Sequence, residues 1–174
     1  MSFFVIVRGP LGVGKTAVSK GLSTTLGAHY LSIDQILDDH GLWDRGRLSE
    51  FLAANEIAAR LARPWITKGR PVVFDGNFYW KTQIRDLTRR LASPHFIFTL
   101  VAPLRRCIER DGRRETSHGP EAARQVYAKA MAFEYGVRVN AECPVTEVVR
   151  EITDRITGVR GRAPPDSPAH LPKR

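Results

Sequence analysis

Gly9-Pro10-Leu11-Gly12-Val13-Gly14-Lys15-Thr16 decides the fold: it reads G-x-x-x-x-G-K-[ST], after the apolar run Phe3-Phe4-Val5-Ile6-Val7 and before a segment with helical spacing. Strand, glycine loop and helix in that order build an anion cradle. The glycines let successive backbone N–H groups turn inward, and the following helix adds its positive N-terminal end. Lys15 is positioned to reach the β- and γ-phosphates of a nucleotide, and the Thr16 hydroxyl to complete the coordination of Mg²⁺. Gly9, Leu11, Gly12, Val13, Gly14, Lys15, Thr16 and Ala17 are therefore the expected phosphate contacts.

The rest of the chain sets bounds on that reading. Its 174 residues suffice for one domain with a proper core. An apolar content of 43% and a charged content of 26% describe a globular chain without membrane-length apolar stretches. Cys107 and Cys143 lack metal or disulfide spacing, and the start has no basic signal region, so a cytoplasmic setting is expected. The net charge is +9, of which residues 158–174 carry +3 through Arg160, Arg162, Lys173 and Arg174 against Asp166. Polyanionic substrates or nucleic acid suit such a balance, and so does a mildly basic enzyme that neutralises ATP.

Apolar β-rich runs alternate with helical patterns, which argues for βαβ units and a parallel sheet. Strands are expected at Phe3–Arg8, Ala28–Ile33, Pro71–Asp75, His95–Val101 and Val137–Val139. Helices are expected from Gly14 to Leu26, after Asp34, from Leu48 to a bend or stop near Pro64, over Lys81–Ala92, from Pro103, over Pro120–Tyr135 and over Thr146–Ile156. A folded domain over 1–157 and a Pro/Arg-rich tail over 158–174 follow.

In open α/β sheets ligands lie beyond the carboxyl ends of the strands, so the residues ending each strand become candidates. The second strand ends at Ser32-Ile33-Asp34 and the third at Val73-Phe74-Asp75-Gly76-Asn77. Two carboxylates facing Lys15 and Thr16 suit Mg²⁺–nucleotide chemistry. Asp34 reads as general base or orienter of an acceptor hydroxyl, with a possible metal contact, or as the cap of the helix that follows it. Asp75 reads as the Mg²⁺ partner, or as a turn residue before Gly76.

Arg106, Arg110 and Arg113 are spaced to share one face if their helix continues past Gly112, where a triphosphate would relieve their mutual repulsion. Arg110 could instead stack on the nucleotide base. Arg106, Arg110 and Arg114 are the expected additional nucleotide contacts, and Arg110 and Arg113 the expected catalytic arginines beside Lys15 and Asp34. Residues 111–119, bracketed by Gly112 and Gly119, read as a short lid or a plain surface loop. Residues 34–80 must supply the acceptor pocket, with Arg47, Asn77 and Phe78 as its candidates besides Asp34. Trp43, Arg45, Tyr79 and Trp80 are neighbours of the same kind, while Trp65 reads as packing.

The P-loop, Ser32-Ile33-Asp34, Val72-Val73-Phe74-Asp75-Gly76-Asn77 and Ala102-Pro103-Leu104 with Arg110 and Arg113 together resemble the small P-loop kinases. Gluconate, shikimate and adenylylsulfate kinases and polynucleotide 5′-hydroxyl kinases are of this kind, as are short proteins labelled "AAA family ATPase". The likeness spans roughly residues 3–157. It implies an α/β, three-layer P-loop kinase fold with a parallel five-stranded sheet of order 2-3-1-4-5, helices on both faces and a short lid. It also implies that Asp34 meets the acceptor hydroxyl, that lid arginines are Arg110 with Arg113 or Arg114, and that Cys143-Pro144 lies by the adenine. Two departures, the lack of D-x-D at strand two and Gly76-Asn77-Phe78-Tyr79 after strand three, count against shikimate and adenylate as acceptors. The expected activity is transfer of the ATP γ-phosphoryl to a hydroxyl of a small molecule, with Mg²⁺. A nucleic-acid or nucleotide kinase and a nucleotide-dependent switch are the alternatives.

Overall fold

The computed structural model describes residues 2–160. Five strands, β1 (Phe4–Arg8), β2 (His29–Ser32), β3 (Val72–Asp75), β4 (His95–Val101) and β5 (Val137–Asn140), form one sheet of order β2-β3-β1-β4-β5. All four pairings are parallel. The central strand, β1, is buried on both faces, as a continuous Phe-Val-Ile-Val run requires in a parallel sheet.

Alternation along β1 divides the core. Phe4 and Ile6 join Phe74 and Ile97 under α2 (Ile33–Asp39), α3 (Leu48–Thr67) and α4 (Lys81–Leu91). Val5 and Val7 join Val73, Phe98 and Leu100 against α1 (Lys15–Leu26) and α7 (Val145–Arg160). Phe51 and Phe74 are fully buried, and each such side chain contributes about 1.5–3 kcal/mol of transfer free energy. Buried Asn55 fixes α3 to α4 by donating to the Gln83 carbonyl at 2.8 Å and to Asp86 at 3.2 Å. Between β4 and β5 lie α5 (Leu104–Gly112) and α6 (Gly119–Met131).

Several expected boundaries move for physical reasons. The helix α3 runs through Pro64 to Thr67. Pro64 is exposed and in the last turn, where water can satisfy the carbonyl that loses its partner. Pro103 is the residue before α5 rather than its first residue. The helix expected to reach Tyr135 stops at Met131, because the Tyr135 carbonyl accepts from Thr99 Oγ1 at 2.6 Å and so ties that segment to β4. The final helix continues to Arg160, beyond the expected boundary at 157. The remainder of the expected tail, residues 161–174, lies outside the described residues.

Gly136 makes the last strand possible. Its φ is +69°, and a Cβ there would lie 2.2 Å from the Ile97 carbonyl oxygen. Gly136→Ala is expected to cost at least about 1–3 kcal/mol from backbone strain alone, with the clash added. Urea unfolding should show a lower midpoint at unchanged slope; an unchanged midpoint would mean the β4–β5 approach relaxes freely.

Candidate nucleotide and acceptor site

The P-loop leaves β1 at Gly9 and enters α1 at Lys15. Gly12 is its tightest point, with φ +77° and a hypothetical Cβ only 2.0 Å from the Cys107 carbonyl oxygen of α5. Only a residue without a side chain lets loop and helix approach this closely. Lys15 is 8% exposed and donates to the Pro10 carbonyl at 3.0 Å. Burial pushes its pKa down, while the charges of Asp75 and Asp34 oppose that shift and Arg114 adds to it.

The two carboxylates come from adjacent strand ends and differ in their partners. Asp75, the last residue of β3, accepts on Oδ2 from Thr16 Oγ1 at 2.8 Å and from Tyr30 Oη at 3.0 Å. Asp34 stands in the first turn of α2 and accepts from Asn77 Nδ2 at 3.3 Å. The cap of that helix is Ser32, whose hydroxyl accepts from the Gln35 N–H at 3.2 Å, so Asp34 is released from capping. Oδ1 of Asp34, Oδ1 of Asp75 and Oδ1 of Asn77 are each buried with no hydrogen-bond partner among the described residues. Burial pushes the Asp34 carboxyl up to about 6, against the Lys15 charge and with that of Asp75. Such unpaired oxygens beside a Thr hydroxyl are hard donors of the kind Mg²⁺ takes. Among the described residues there is no group of three His, Cys, Asp or Glu fit for a metal, so Mg²⁺ here would draw its other ligands from water and phosphate.

The arginines divide differently from the sequence expectation. The helix α5 ends at Gly112, so Arg106, Arg110 and Arg113 do not form a continuous helical face. Arg106 is exposed and pairs with Glu109 at 3.2 Å. Arg113 is exposed at the end of the helix. Arg110 turns inward instead, donating to the Val13 carbonyl at 3.1 Å and the Ala141 carbonyl at 2.8 Å. It thereby lines a cavity of about 420 Å³ with Val13, Val18, Cys143 and Pro144. Arg114 is the arginine of this segment whose charge bears on Lys15, and it stands 3.8 Å from Asp111. Buried Asp111 also accepts from Ser117 Oγ and the His118 N–H, both at 3.0 Å, which closes residues 113–118 into a compact loop.

The acceptor candidates also separate. Asn77 is at the site through Asp34. Phe78 is not: it is fully buried in the core with φ +49°, so its ring packs with Ile33 and Phe51 and leaves no surface for a ligand. Arg47 stands exposed at the start of α3, where its N–H donates to Glu50. Trp43 packs edge-on against Phe51, and Trp65 stacks on His29 at 4.3 Å as a packing residue. The pKa of the Tyr79 hydroxyl is pushed upward by burial and then by the charge of Asp34. Tyr30 escaped sequence reasoning. Its one signal is that it stands two residues before Ser32 in β2, and its partner Asp75 comes from a different strand.

A family profile described as an AAA domain, AAA_33, matches residues 4–135. No curated protein matches the sequence. Among solved structures, the chain is similar to a gluconokinase from Sinorhizobium meliloti 1021, with 18% identity, 89% of this chain and 91% of that one covered, and a TM-score of 0.67. A sugar kinase from Janibacter sp. HTCC2649 matches at 16% identity over 90% and 95% with a TM-score of 0.73. The Mycobacterium tuberculosis APS kinase, solved with AMPPNP and APS, matches at 16% over 90% and 98% with a TM-score of 0.67. The fold is that of the small P-loop kinases, as the resemblance implied.

Because burial raises the Asp34 pKa above its unfolded value, the folded state binds the extra proton between about 4 and about 6. This carboxyl therefore lowers stability as pH rises through that window and leaves it lower above the folded pKa. Asp34→Asn is expected to raise the unfolding midpoint at pH 7 and to flatten the slope of stability between pH 4 and 6. Equal slopes in denaturant titrations of both proteins would refute the buried-carboxyl assignment.

Proposed function

The chain belongs to the AAA_33 family of AAA domains, and from that premise we propose that it is an ATP-dependent kinase that phosphorylates a hydroxyl of a small molecule. The observation that carries the proposal is the division of labour between two carboxylates at one crevice. Asp75 is tied to the P-loop threonine, while Asp34 keeps a buried oxygen free and is poised near neutral pH.

The donor side follows from the loop. Backbone N–H groups between Gly9 and Ala17 receive the phosphates, and Lys15 exchanges its Pro10 carbonyl for phosphate oxygens. Thr16 and Asp75 would hold Mg²⁺, with Asp34 close by, and the ion when bound would supply charge neutralisation for the phosphates. The adenine enters the cavity by Cys143 and Pro144, against Arg110. Arg114 supplies lid charge near Lys15. Arg106 and Arg113, exposed on and beyond α5, have no part in this arrangement.

On the acceptor side, Asn77 orients Asp34 through its amide. The acceptor oxygen bonds to the γ-phosphorus as the β–γ bridging bond breaks. Its proton passes to the Asp34 carboxylate, and ADP leaves with the bridging oxygen. Acceptance requires Asp34 to be ionised, so transfer should rise with pH through the region of its pKa.

Transfer from γ-labelled ATP to a panel of hydroxyl compounds tests the reading. Asp34→Ala is expected to lower kcat by about 10²–10⁴-fold while ATP still binds. Lys15→Ala should lose both transfer and tight ATP binding. Wild-type transfer by Asp34→Ala would remove Asp34 as proton acceptor. Hydrolysis without any acceptor, indifferent to Asp34→Ala, would replace the kinase with a nucleotide-dependent switch.

A further inference from the structure

A second cavity of about 420 Å³ opens between the start of α4 and the end of α6. Its walls are aromatic, from Tyr79, Trp80 and Phe133, and its cations are Lys81 and Lys129. The Lys129 ammonium lies 5.8 Å from the Tyr79 ring centroid, and the Lys81 ammonium 5.7 Å from that of Phe133. Phe133 carries a further cation: the Arg8 guanidinium, fully buried, sits 4.3 Å from the same ring. Among the described residues Arg8 has only neutral partners, the Thr99 hydroxyl and the Ala130 carbonyl, and its Nε has none.

None of these three cations has a carboxylate partner among the described residues. The nearest acidic neighbour in sequence, Glu134, is taken by Arg138 at 2.7 Å. On α4, Asp86 is held by Arg89 and Arg90. An aromatic cavity with two rim ammoniums and an uncompensated guanidinium behind its wall has a positive potential, which low-polarity walls strengthen. The cavity also neighbours the reaction centre along the chain: Tyr79, which lines it, stands two residues after Asn77, whose amide donates to Asp34 at 3.3 Å.

We infer that this cavity selects the acceptor, and that the acceptor is a hydroxyl compound bearing an anionic group, carboxylate or phosphate, held by Lys81 and Lys129. The inference rests on the kinase reading for its word "acceptor", and on the cavity alone for its anion. The body of the molecule lies against Tyr79 and Phe133, which directs a hydroxyl toward Asp34. Lys81 and Lys129 come from two different helices, α4 and α6, so a single anion bridges them. This assigns specificity to residues outside the strand-end carboxylates and outside the P-loop.

Trp80 lies in the cavity wall, so its fluorescence in the full-length protein reports binding directly, with Trp80→Phe identifying its share of the signal. The probes are matched pairs of three to seven carbons: aldonates against alditols, and sugar phosphates against free sugars. The expected result is that the anionic member of at least one pair binds and its neutral mate binds at least ten-fold more weakly. The carboxylate and phosphate arms tell the two anions apart. Lys81→Met and Lys129→Met should each raise Kd about ten-fold or more, Lys129→Arg should retain binding, and Lys68→Met, at the far end of α3, should change nothing. With ATP present, the two methionine variants should raise the acceptor KM far more than they lower kcat. Neutral mates binding as tightly as the anions, no anionic member binding at all, or Kd values within two-fold of wild type in both variants would overturn the inference. Lysine-dependent anion binding without phosphoryl transfer would count against the kinase reading and leave the anion site standing.

Discussion

A buried ammonium with no direct ionic partner is the constraint around which this molecule is organised. Lys15 is almost wholly out of water and spends its hydrogen bond on a neutral carbonyl five residues back. Desolvating an isolated ammonium is costly unless compensating charge is near. Asp75 and Asp34 supply that charge at a distance, from the ends of β3 and α2, and neither takes Lys15 into an ion pair. The cation therefore remains available to phosphate, while the carboxylates remain available to a metal and to a proton. A tight Lys15–carboxylate pair would have stabilised the empty protein and opposed nucleotide entry.

The backbone beneath this arrangement is held from two sides. Gly12 passes under the Cys107 carbonyl at a distance no side chain would tolerate, and Arg110 reaches from α5 to the Val13 carbonyl. The same guanidinium holds the Ala141 carbonyl beyond β5. One arginine thus fixes the phosphate loop relative to the cavity by Cys143 and Pro144. That role differs from a helical face of arginines aimed at phosphate, and it makes Arg110 a link between the P-loop and that cavity.

How far the sequence foretold this depends on the range of each interaction. The P-loop, β1 and the Asp75 strand end were legible because doubly buried parallel strands are continuous apolar runs with chemistry at their carboxyl ends. Asp34 was legible as a candidate, and its release from capping was not, since that turns on whether the helix starts after Ser32, whose hydroxyl meets the Gln35 N–H, or after Asp34, which would meet the Leu37 N–H. Within Asn77-Phe78-Tyr79-Trp80 local pattern could not say which aromatic turns inward; a positive φ at Phe78 sends that ring into the core and leaves Tyr79 at the site. The arginine face failed at Gly112, where helical spacing was extrapolated past the actual end of the helix. Lys81 and Lys129 carry no local signal, and Tyr30 only its place two residues before Ser32, because their partners are supplied by other elements.

Arg8 joins the two sides of the crevice. It is the residue immediately before Gly9, so it fixes where the P-loop begins, and its guanidinium is bonded to the Ala130 carbonyl next to Lys129. Its other hydrogen bond reaches Thr99, whose hydroxyl donates to the Tyr135 carbonyl just beyond α6. A buried guanidinium without a carboxylate lowers its own basicity, and desolvation alone brings Arg8 to about 10. Neutral acceptors and the Phe133 ring meet its donors without cancelling its charge. The outcome is a still positive joint between β1, which leads into the P-loop, and α6, which borders the aromatic cavity. One fully buried side chain thus connects the start of the P-loop with the end of α6 that borders the aromatic cavity.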